Sequence, residues 1–204
     1  MKRDEKNLAS RRRIMDSAFA EFGERGYGLS SVNTICSAGD ISKGILYHYF
    51  KDKDELYLVC VAELFDSLTE YLSAELADAS GTKEARLERY FDARLRFFSE
   101  HPMYHKLFCD VVIAPPPHLA AGISTLREPF DALNISVLTG LLQEVKLRSD
   151  VTIESAVETF RLYQDFVNAR FGMESSKIDM EQHEQTCKRS LGVLLYGVIE
   201  REGR

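Results

Sequence analysis

Two observations predict an all-α fold for this chain of 204 residues. All five prolines fall between Pro102 and Pro129, so two long stretches lack the residue that most strongly interrupts helices. Within those stretches, apolar residues recur at intervals of three and four, the spacing that places them on one face of a helix. We therefore predict about nine helices, three of them in residues 8–50.

The stripes of apolar residues locate these helices in order. Met15, Phe19 and Phe22 predict the first helix, and Gly26 stands where that helix could end in a left-handed residue. Breaks are expected where Gly, Pro and Ser cluster, and the run Pro115–Pro117 is predicted to form an exposed connection. Further stripes predict longer helices over residues 56–68, 87–98, 156–167 and 187–198.

Charge divides the chain into two parts. Residues 1–53 contain 10 Lys and Arg residues against 7 Asp and Glu residues, a net charge of +3, whereas residues 54–204 have a net charge of −9. With 45% hydrophobic and 28% charged residues, the composition is that of a folded protein, and the overall net charge of −6 argues against a generally cationic nucleic-acid coat. We therefore predict two domains, 1–53 and 54–204, that interact with different partners.

Four cysteines lie far apart in the sequence, and no two of them form a Cys-x-x-Cys pair. This spacing argues against a disulfide framework or a zinc ribbon, and it fits a reducing compartment. The first residues are charged where a signal peptide requires an apolar core, and the longest apolar run, Leu191–Ile199, cannot span a bilayer. We expect a cytoplasmic protein that does not enter a membrane.

Residues 30–50 have the layout of a helix-turn-helix, with two short helical patterns separated by a turn. Ser30 is predicted to cap the first of these helices and Ser42 the second. The turn between them passes through Gly39 and Asp40. The second helix is predicted to extend for about two turns.

That second helix has two different faces. Leu46 and Phe50, four residues apart, anchor one face in the core. On the opposite face a glycine lets a phosphate approach the backbone, a lysine supplies positive charge, and a tyrosine can donate a hydrogen bond while its ring stacks on sugar or base edges. This face consists of Lys43, Gly44, Tyr47 and His48.

The next helix is predicted to begin with a capping box, because Asp52 and Glu55 have the required spacing. Its positive N-terminus, together with Lys51 and Lys53, suits a phosphate of a nucleic-acid backbone. The predicted nucleic-acid surface therefore extends beyond the second helix of the motif.

The segment at residues 35–56, ICSAGDISKGILYHYFKDKDEL, resembles the DNA-binding signature of the TetR family of bacterial transcriptional regulators. The resemblance covers about residues 11–56 and includes Phe22–Tyr27, which is similar to the family's end of helix one. It implies a three-helix DNA-binding domain followed by a helical ligand-binding and dimerisation domain. It also implies a repressor that a small-molecule effector releases from a pseudo-palindromic operator. We expect no cofactor and no metal.

Two residues depart from the family pattern. Asp40 stands where such proteins usually have glycine in the turn, and aspartate is one of the few other residues that tolerate a left-handed conformation. Ile45 replaces the usual threonine of the recognition helix, so a hydroxyl is lost and a surface for a thymine methyl group is gained. With two residues carried over from matching family positions, Tyr49 and Lys53, the predicted DNA-binding residues are Ser30, Ser42, Lys43, Gly44, Ile45, Tyr47, His48, Tyr49 and Lys53.

The second predicted domain is rich in aromatic residues with scattered polar groups, a composition that can enclose an apolar cavity. We expect it to hold a small, partly apolar effector whose binding changes the separation of two DNA-reading heads. The alternative is a filled core without an effector. The candidate effector contacts are Phe65, Arg94, Phe98, Tyr104, His105, Phe108, Phe130, Asn134, Tyr163 and Phe166.

The family resemblance implies that the last two helices, near residues 153–171 and 180–199, form a four-helix interface with a second copy. Gly192 and Gly197 would let these helices approach closely, and the run Leu191–Ile199 is too apolar to face solvent. We therefore predict a homodimer that places one recognition helix per subunit in successive major grooves of double-stranded operator DNA.

Other interpretations of particular residues remain open. His101, His105 and Cys109 have a spacing that would align metal ligands on one helix, but Pro102 favours a helix start that leaves His101 outside. Packing or ligand contact is the alternative for these three side chains. The run Arg11–Arg13 either forms a solvated face or reaches the phosphate backbone.

No motif for catalysis is present in the sequence. It contains no glycine-rich phosphate loop, no nucleophile elbow and no His-Glu-x-x-His, so we predict that the protein is not an enzyme. Two rival functions are a helical adaptor whose basic N-terminal face binds an acidic protein, and an all-α enzyme. The adaptor would not bind duplex DNA, and the enzyme would turn over a substrate.

Overall fold

The computed structural model describes residues 2–77, 80–174, 182, 185–186, 188–190 and 193. Within these residues it contains eight α-helices, one short 3₁₀ turn at Pro117–Leu119 and no β-strand. The predicted all-α fold is confirmed, whereas the predicted helix near residues 180–199 lies largely outside the described residues. The helices are α1 (Lys2–Leu29), α2 (Val32–Ala38), α3 (Lys43–Tyr49), α4 (Lys53–Glu75), α5 (Lys83–Glu100), α6 (Pro102–Ile113), α7 (Ala120–Gln143) and α8 (Ile153–Glu174).

The first apolar stripe forms the buried face of α1, as its spacing predicts. Met15, Phe19 and Phe22 are each at most 2% exposed. Gly26 has the positive φ expected there, 65°, but its ψ of 172° lies outside the left-handed helical region, and it kinks α1 before the last turn without ending the helix. A Cβ atom at this position would lie 2.8 Å from Oδ1 of Asp110, so both backbone conformation and space favour glycine here.

The start of each short helix is capped by a serine, although one cap differs from the prediction. Ser31, rather than Ser30, is the N-cap of α2, and its hydroxyl accepts from the amides of Asn33 and Thr34. Ser30 is buried instead, and its hydroxyl donates to the carbonyl of Tyr27 over 2.7 Å. The two serines are adjacent, so composition alone did not distinguish the cap from its buried neighbour.

The caps of α3 and α4 agree with the sequence. Ser42 precedes α3, and its hydroxyl accepts from the amide of Ile45 over 3.3 Å. Before α4, Asp52 accepts from the amide of Glu55 over 2.9 Å. The Glu55 carboxylate reaches back to the amide of Lys51 over 2.5 Å, one residue beyond the partner of a standard capping box.

One proline lies where prolines are unusual, and the proline run differs from the prediction. Pro129 lies inside α7, although a proline lacks the amide that a helix interior uses. Pro116 is buried, so the run Pro115–Pro117 is not a fully exposed connection. Pro102 occupies the first turn of α6 with His101 as N-cap, as predicted.

The chain consists of two compact units that cut across the predicted boundary at residue 53. The first comprises Met1–Ser67 and Phe98–Arg127, and the second comprises Leu68–Phe97 and Glu128–Arg204. The first unit thus contains α1–α3 and α6 whole. The division by contacts falls within α4, α5 and α7, so the functional boundary at residue 53 remains a prediction.

No single helix among the described residues is long and apolar enough to cross a membrane. Residues of α6 and Pro117–Gln143 meet the length and composition criteria only when they are taken together, and this pair is bent by 89°.

Candidate functional site

The turn between α2 and α3 is fixed by contacts that the sequence indicates only in part. Asp40 has a φ of 48°, which confirms the left-handed conformation expected there. Gly39 precedes it with a negative φ, but a Cβ atom on Gly39 would lie 2.7 Å from both Ser17 Oγ and Ile41 Cδ1. Space therefore favours glycine at position 39, while aspartate supplies the unusual backbone conformation at position 40.

The outward face of α3 is held by one buried residue. Leu46 is fully buried in the core, and the amide of Phe50 donates to the carbonyl of Leu46 at the end of the helix. Ile45 is 44% exposed and Tyr47 is 51% exposed, large values for apolar and aromatic side chains. The exposed residues of this short helix are Lys43, Gly44, Ile45, Tyr47 and His48, all of them predicted DNA contacts, and we call this set the α3 face.

The arginine run of α1 is used largely within the protein. Arg11 lies over the ring of Phe50 with its guanidinium carbon 5.5 Å from the centroid, and Arg13 donates to the carbonyl of Asp40 over 3.0 Å. Arg12 pairs with Asp16 at 2.6 Å and with Glu63 at 2.7 Å. Arg11 and Arg13 therefore hold the end of α3 and the turn before it against α1, and Arg12 links α1 to α4, roles that neither sequence interpretation of the run included.

A second polar cluster surrounds the end of α1. The hydroxyl of Tyr27 donates to Asp54, and Nε2 of His118 lies 3.3 Å from that hydroxyl and 3.4 Å from Oδ2 of Asp54. Burial, together with the hydrogen bond to Asp54, raises the pKa of Tyr27 to about 12. The hydrogen bond from Tyr27 in turn lowers the pKa of Asp54. We call this cluster the Tyr27 junction, and it consists of Tyr27, Lys53, Asp54, Tyr57, Asp110 and His118.

Asp110 ties α6 into the Tyr27 junction. Its Oδ2 atom accepts from the hydroxyl of Tyr57 over 2.8 Å and from the amide of Tyr27 over 3.4 Å. Burial raises the pKa of this carboxyl group, and the two hydrogen bonds oppose that change. The sequence analysis did not identify Asp110, because its partners lie 53 and 83 positions earlier in the chain. A single aspartate within the apolar α6 stripe was the available signal.

Three of the predicted DNA-binding residues have partners inside the protein. Ser30 is buried, as described above, and Tyr49 is half-buried, with its hydroxyl donating to Asn7 over 3.2 Å. The ammonium group of Lys53 donates to the carbonyls of Tyr27 at 2.8 Å and Ser30 at 3.2 Å, and it lies 4.0 Å from the Tyr27 ring centroid. In this structure Lys53 therefore joins α4 to the end of α1, which differs from the expectation of a phosphate ligand.

The second unit contains a small internal cavity of about 30 Å³. Its polar lining includes Arg94, which is only 3% exposed and donates to the hydroxyl of Tyr90 over 3.2 Å. The Tyr90 hydroxyl donates to the side chain of Asn134, which also lines the cavity. The rest of the described lining is Leu87, Phe91, Val137, Leu138, Leu141, Phe160, Tyr163 and Gln164.

A larger groove of about 320 Å³ lies in the same unit. Val137 and Leu141 of α7 line both the groove and the cavity. A Cβ atom added to Gly140, between them, meets nothing within 4 Å. The groove is lined by Ser73, Leu76, Arg86, Leu133, Ser136, Val137, Gly140 and Leu141, none of which the sequence analysis selected.

The candidate effector contacts divide between the two units. Arg94, Asn134 and Tyr163 line the cavity, and Phe130 packs with its ring centroid 5.5 Å from the Arg94 guanidinium. Phe166 lies in the same unit but is 60% exposed. The other five candidates belong to the first unit, where Phe98, for example, packs against Phe108 and His105. These five are Phe65, Phe98, Tyr104, His105 and Phe108.

The candidate metal residues pack against aromatic rings. His101 stacks on Tyr104, and His105 lies against Phe98. The part of the chain that the structure describes contains no group of three or more His, Cys, Asp or Glu side chains suited to a metal ion. Cys36, Cys60 and Cys109 are buried, and burial raises the pKa of the Cys36 and Cys60 thiols, which disfavours the reactive thiolate.

Large apolar side chains are exposed on the second unit. Leu162 and Phe166, one turn apart on α8, are 65% and 60% exposed, and Val193 is 69% exposed. The glycines and most of the apolar run predicted to complete a dimer interface, Leu191–Ile199, lie outside the described residues.

Comparisons with known proteins agree with the geometry of the first three helices. Residues 14–60 match the family model described as bacterial regulatory proteins, tetR family. The chain is 34% identical over 83 residues to the HTH-type transcriptional repressor DhaR of Mycobacterium sp. (strain GP1), a match that covers 41% of this chain and 42% of DhaR. It is 25% identical over 118 residues to the HTH-type transcriptional regulator RutR of Escherichia coli (strain K12), covering 58% of this chain and 55% of RutR.

Similarity to solved structures extends over nearly the whole chain. The transcriptional regulator FadR from Bacillus subtilis, solved in complex with stearoyl-CoA, superposes with a TM-score of 0.69 at 17% identity, covering 91% of this chain and 98% of FadR. At this identity the similarity establishes the fold alone. The match with the curated relatives DhaR and RutR spans only about two fifths to one half of their length. Residues 14–60 therefore match the helix-turn-helix segment of the tetR family of bacterial regulatory proteins, and the chain has the all-helical fold of FadR.

Proposed function

We propose that this protein is a DNA-binding transcriptional regulator that acts as a homodimer and represses transcription until a small-molecule effector lowers its operator affinity. The observation that carries the proposal is the α3 face, where five side chains or backbone positions of a seven-residue helix point away from the core while Leu46 anchors it. A DNA-bound regulator of this kind acts in the cytoplasm, as expected from the sequence.

The α3 face has the chemistry that major-groove recognition requires. Lys43 and Tyr47 offer hydrogen-bond donors to base edges, and exposed Ile45 offers an apolar surface to a thymine methyl group. Gly44 leaves space for the DNA backbone, and Ser42 and His48 flank it as polar contacts to phosphate. Two further predicted residues support this face through contacts within the protein: Tyr49 donates to Asn7, and Ser30 donates to the carbonyl of Tyr27.

The dimer is supported by the exposed apolar side chains of the second unit. A two-turn recognition helix contacts too few base pairs for specificity, so two copies are needed to read two half-sites. Leu162 and Phe166 on α8, with Val193, provide apolar area that a second copy would bury. The relatives DhaR and RutR are named as a transcriptional repressor and a transcriptional regulator, which supports both DNA binding and repression.

The experiment begins with selection of duplexes that bind the purified protein from a random pool. We expect a pseudo-palindromic consensus whose two half-sites lie about one helical turn apart, or a multiple of it. No enrichment, combined with salt-sensitive capture of an acidic protein, would instead support the adaptor. Turnover of a substrate would support an enzyme.

Variants of the α3 face then test the assignment by fluorescence anisotropy on the selected duplex. Lys43→Ala and Tyr47→Ala are each expected to cost about 1–3 kcal/mol of binding free energy, because each removes a base-proximal contact. Lys106→Ala is the matched control, since Lys106 is an exposed lysine on α6. Operator affinity that is unchanged in both α3 variants at physiological salt would refute the assignment.

A further inference from the structure

The short helix α3 is anchored to the core at one point. Within Lys43–Tyr49, Leu46 is the buried residue. A helix of two turns that is anchored at a single position can tilt about it unless other contacts hold its ends. Recognition of base edges requires that the contacting side chains be held to within about 0.5 Å and about 10–20°. The contacts at the two ends of α3 therefore decide how well the α3 face can read a sequence.

The turn before α3 is tied to α1 by an arginine. The backbone amides of this turn, those of Gly39, Asp40 and Ile41, donate to carbonyls of α2 over 2.9–3.3 Å. The carbonyl of Asp40, the residue with the left-handed conformation, accepts instead from Nη2 of Arg13 over 3.0 Å. Asp40 lies two residues before Ser42, the N-cap of α3. Arg13 therefore fixes the point from which α3 starts.

The other end of α3 is held by a second arginine of α1. Phe50, the C-cap of α3, is 2% exposed, and the guanidinium carbon of Arg11 lies 5.5 Å from its ring centroid, within the range of a cation–π interaction. The two arginines thus contact residues on either side of the α3 face, Asp40 before it and Phe50 after it. A tilt of α3 about Leu46 would break at least one of these contacts.

Two facts separate these arginines from ordinary solvated charges. Both are exposed, so their contacts add little to the stability of the whole protein, yet each guanidinium has a partner in the helix-turn-helix segment. In addition, the match to the family model covers residues 14–60 and begins after both arginines. Their contacts with α3 and its turn are therefore a feature of this chain that the matched segment does not include.

We propose that Arg11 and Arg13 are positioning residues for base recognition, which hold both ends of α3 from α1 and thereby set the preference of the α3 face for its operator over other DNA. The inference rests on the proposed function, because it assigns part of the sequence specificity of that surface. It differs from both interpretations that the sequence left open for this run, a solvated face and a direct phosphate contact. A phosphate ligand adds affinity for every duplex, whereas a positioning residue adds affinity for the correct one.

Fluorescence anisotropy with two duplexes of equal length, the selected duplex and a scrambled sequence, tests the inference. Arg13→Met, which nearly keeps the length of the side chain and removes its donors, is expected to weaken binding to the selected duplex about tenfold, or about 1.4 kcal/mol, and binding to the scrambled duplex by less than about twofold. Arg11→Met is expected to show the same pattern. Arg13→Lys should restore most of the affinity for the selected duplex, because an ammonium group can still donate to the Asp40 carbonyl.

Lys51→Ala is the control for a phosphate ligand, since Lys51 is an exposed lysine beside α3. It should weaken binding to both duplexes by the same factor and flatten the slope of log affinity against log salt by about one unit. Equal losses on the two duplexes in Arg11→Met and Arg13→Met would identify these residues as phosphate ligands and overturn the inference. Unchanged affinity for the selected duplex in both variants would identify them as solvated charges and overturn it as well.

Hydrogen exchange of the full chain without DNA gives a second readout. Amides of residues 40–50 should exchange faster in Arg11→Met and Arg13→Met, because loss of a contact at either end lets α3 open locally, while the midpoint of urea unfolding stays nearly unchanged. Arg25→Met is the matched control, since Arg25 is an exposed arginine of α1 that pairs with Glu21 of the same helix. Unchanged exchange over residues 40–50 in both variants would show that the arginines do not hold α3 and would overturn the inference.

These measurements separate the inference from the proposed function. A chain that selects no duplex refutes the regulator, and hydrogen exchange over residues 40–50 still decides whether the two arginines hold α3. A chain that selects an operator but shows equal losses on the selected and scrambled duplexes refutes the positioning role and leaves DNA binding intact.

Discussion

The α3 face and the Tyr27 junction contain the same kinds of side chain in opposite settings. Each contains a lysine, a tyrosine and a histidine, with a second tyrosine at the junction, and both belong to the first unit. On the α3 face these side chains are exposed, whereas at the junction they contact one another and nearby carboxylates. The corresponding residues are Lys43, Tyr47 and His48 on the face, and Lys53, Tyr27 and His118 at the junction.

The difference shows that residue type alone does not mark a nucleic-acid contact. On the α3 face, Leu46 takes the buried position, which leaves the polar side chains without acidic neighbours on their own helix. At the junction, Asp54 and Asp110 supply acceptors, and the side chains are used to hold α1, α4 and α6 together. An exposed cation is available to DNA, whereas an internally bonded one stabilises the scaffold that presents it.

The largest effect is expected where the α3 face meets the core. Leu46→Ala should lower the free energy of unfolding by about 2–5 kcal/mol, because it removes a fully buried leucine side chain. Tyr47→Ala, at the next position, should change stability by less than about 0.5 kcal/mol, since Tyr47 is 51% exposed. Urea denaturation measures both values. Similar losses in the two variants would mean that Tyr47 packs against the protein and does not belong to the outward face.

A smaller effect is expected at the kink of α1, where Gly26 contacts the junction. Gly26→Ala should cost about 1–3 kcal/mol, because alanine disfavours a φ of 65° and its Cβ would lie 2.8 Å from Asp110. Gly28→Ala is the matched control, as a Cβ there meets nothing within 4 Å. In the helix it should be neutral or stabilise by about 0.5–1 kcal/mol. Equal thermal stability of the two variants would contradict the importance of the kink.

The smallest effect separates two neighbouring lysines. Lys53→Ala should lower stability by about 1 kcal/mol, since it removes the contacts with the Tyr27 ring and two carbonyls, and should leave the salt dependence of operator binding nearly unchanged. Lys51→Ala, at an exposed position, should leave stability unchanged and flatten the slope of log affinity against log salt by about one unit. The reverse pattern, measured by anisotropy across salt concentrations, would restore Lys53 as a phosphate ligand.

The α3 face was predictable because the residues that define it lie close together in the sequence. The core residues Leu46 and Phe50, the Ser42 cap and the outward-facing residues between them all lie within nine positions of one another. The turn was also predictable from neighbouring residues, since few residues other than glycine tolerate the left-handed conformation that Asp40 adopts. Even here the cap of α2 moved by one residue, because Ser30 and Ser31 are chemically identical and only tertiary burial distinguishes them.

The interior sites were predictable only in part, because they depend on packing between distant segments. Arg94 was selected as one of the scattered polar groups in a domain rich in aromatic residues, and it does line a cavity. Phe98, four residues later, was selected on the same pattern but belongs to the other unit. Helical periodicity identifies the side chains that turn inward, but it does not state which interior they enter. For Asp110 the only local signal was a single aspartate within the apolar α6 stripe, and Gly140 carries none, so the sequence analysis omitted both.

The hydrogen bond from Tyr49 to Asn7 links the end of the recognition helix to the first turns of the chain. Tyr49 is separated from Asn7 by 42 positions, yet the two side chains meet within 3.2 Å. Loss of the Asn7 side chain would therefore act on a residue of α3 without altering α3 itself. A change in the first helix can in this way set how firmly the end of the short outward-facing helix is held, at a position far from it in the sequence.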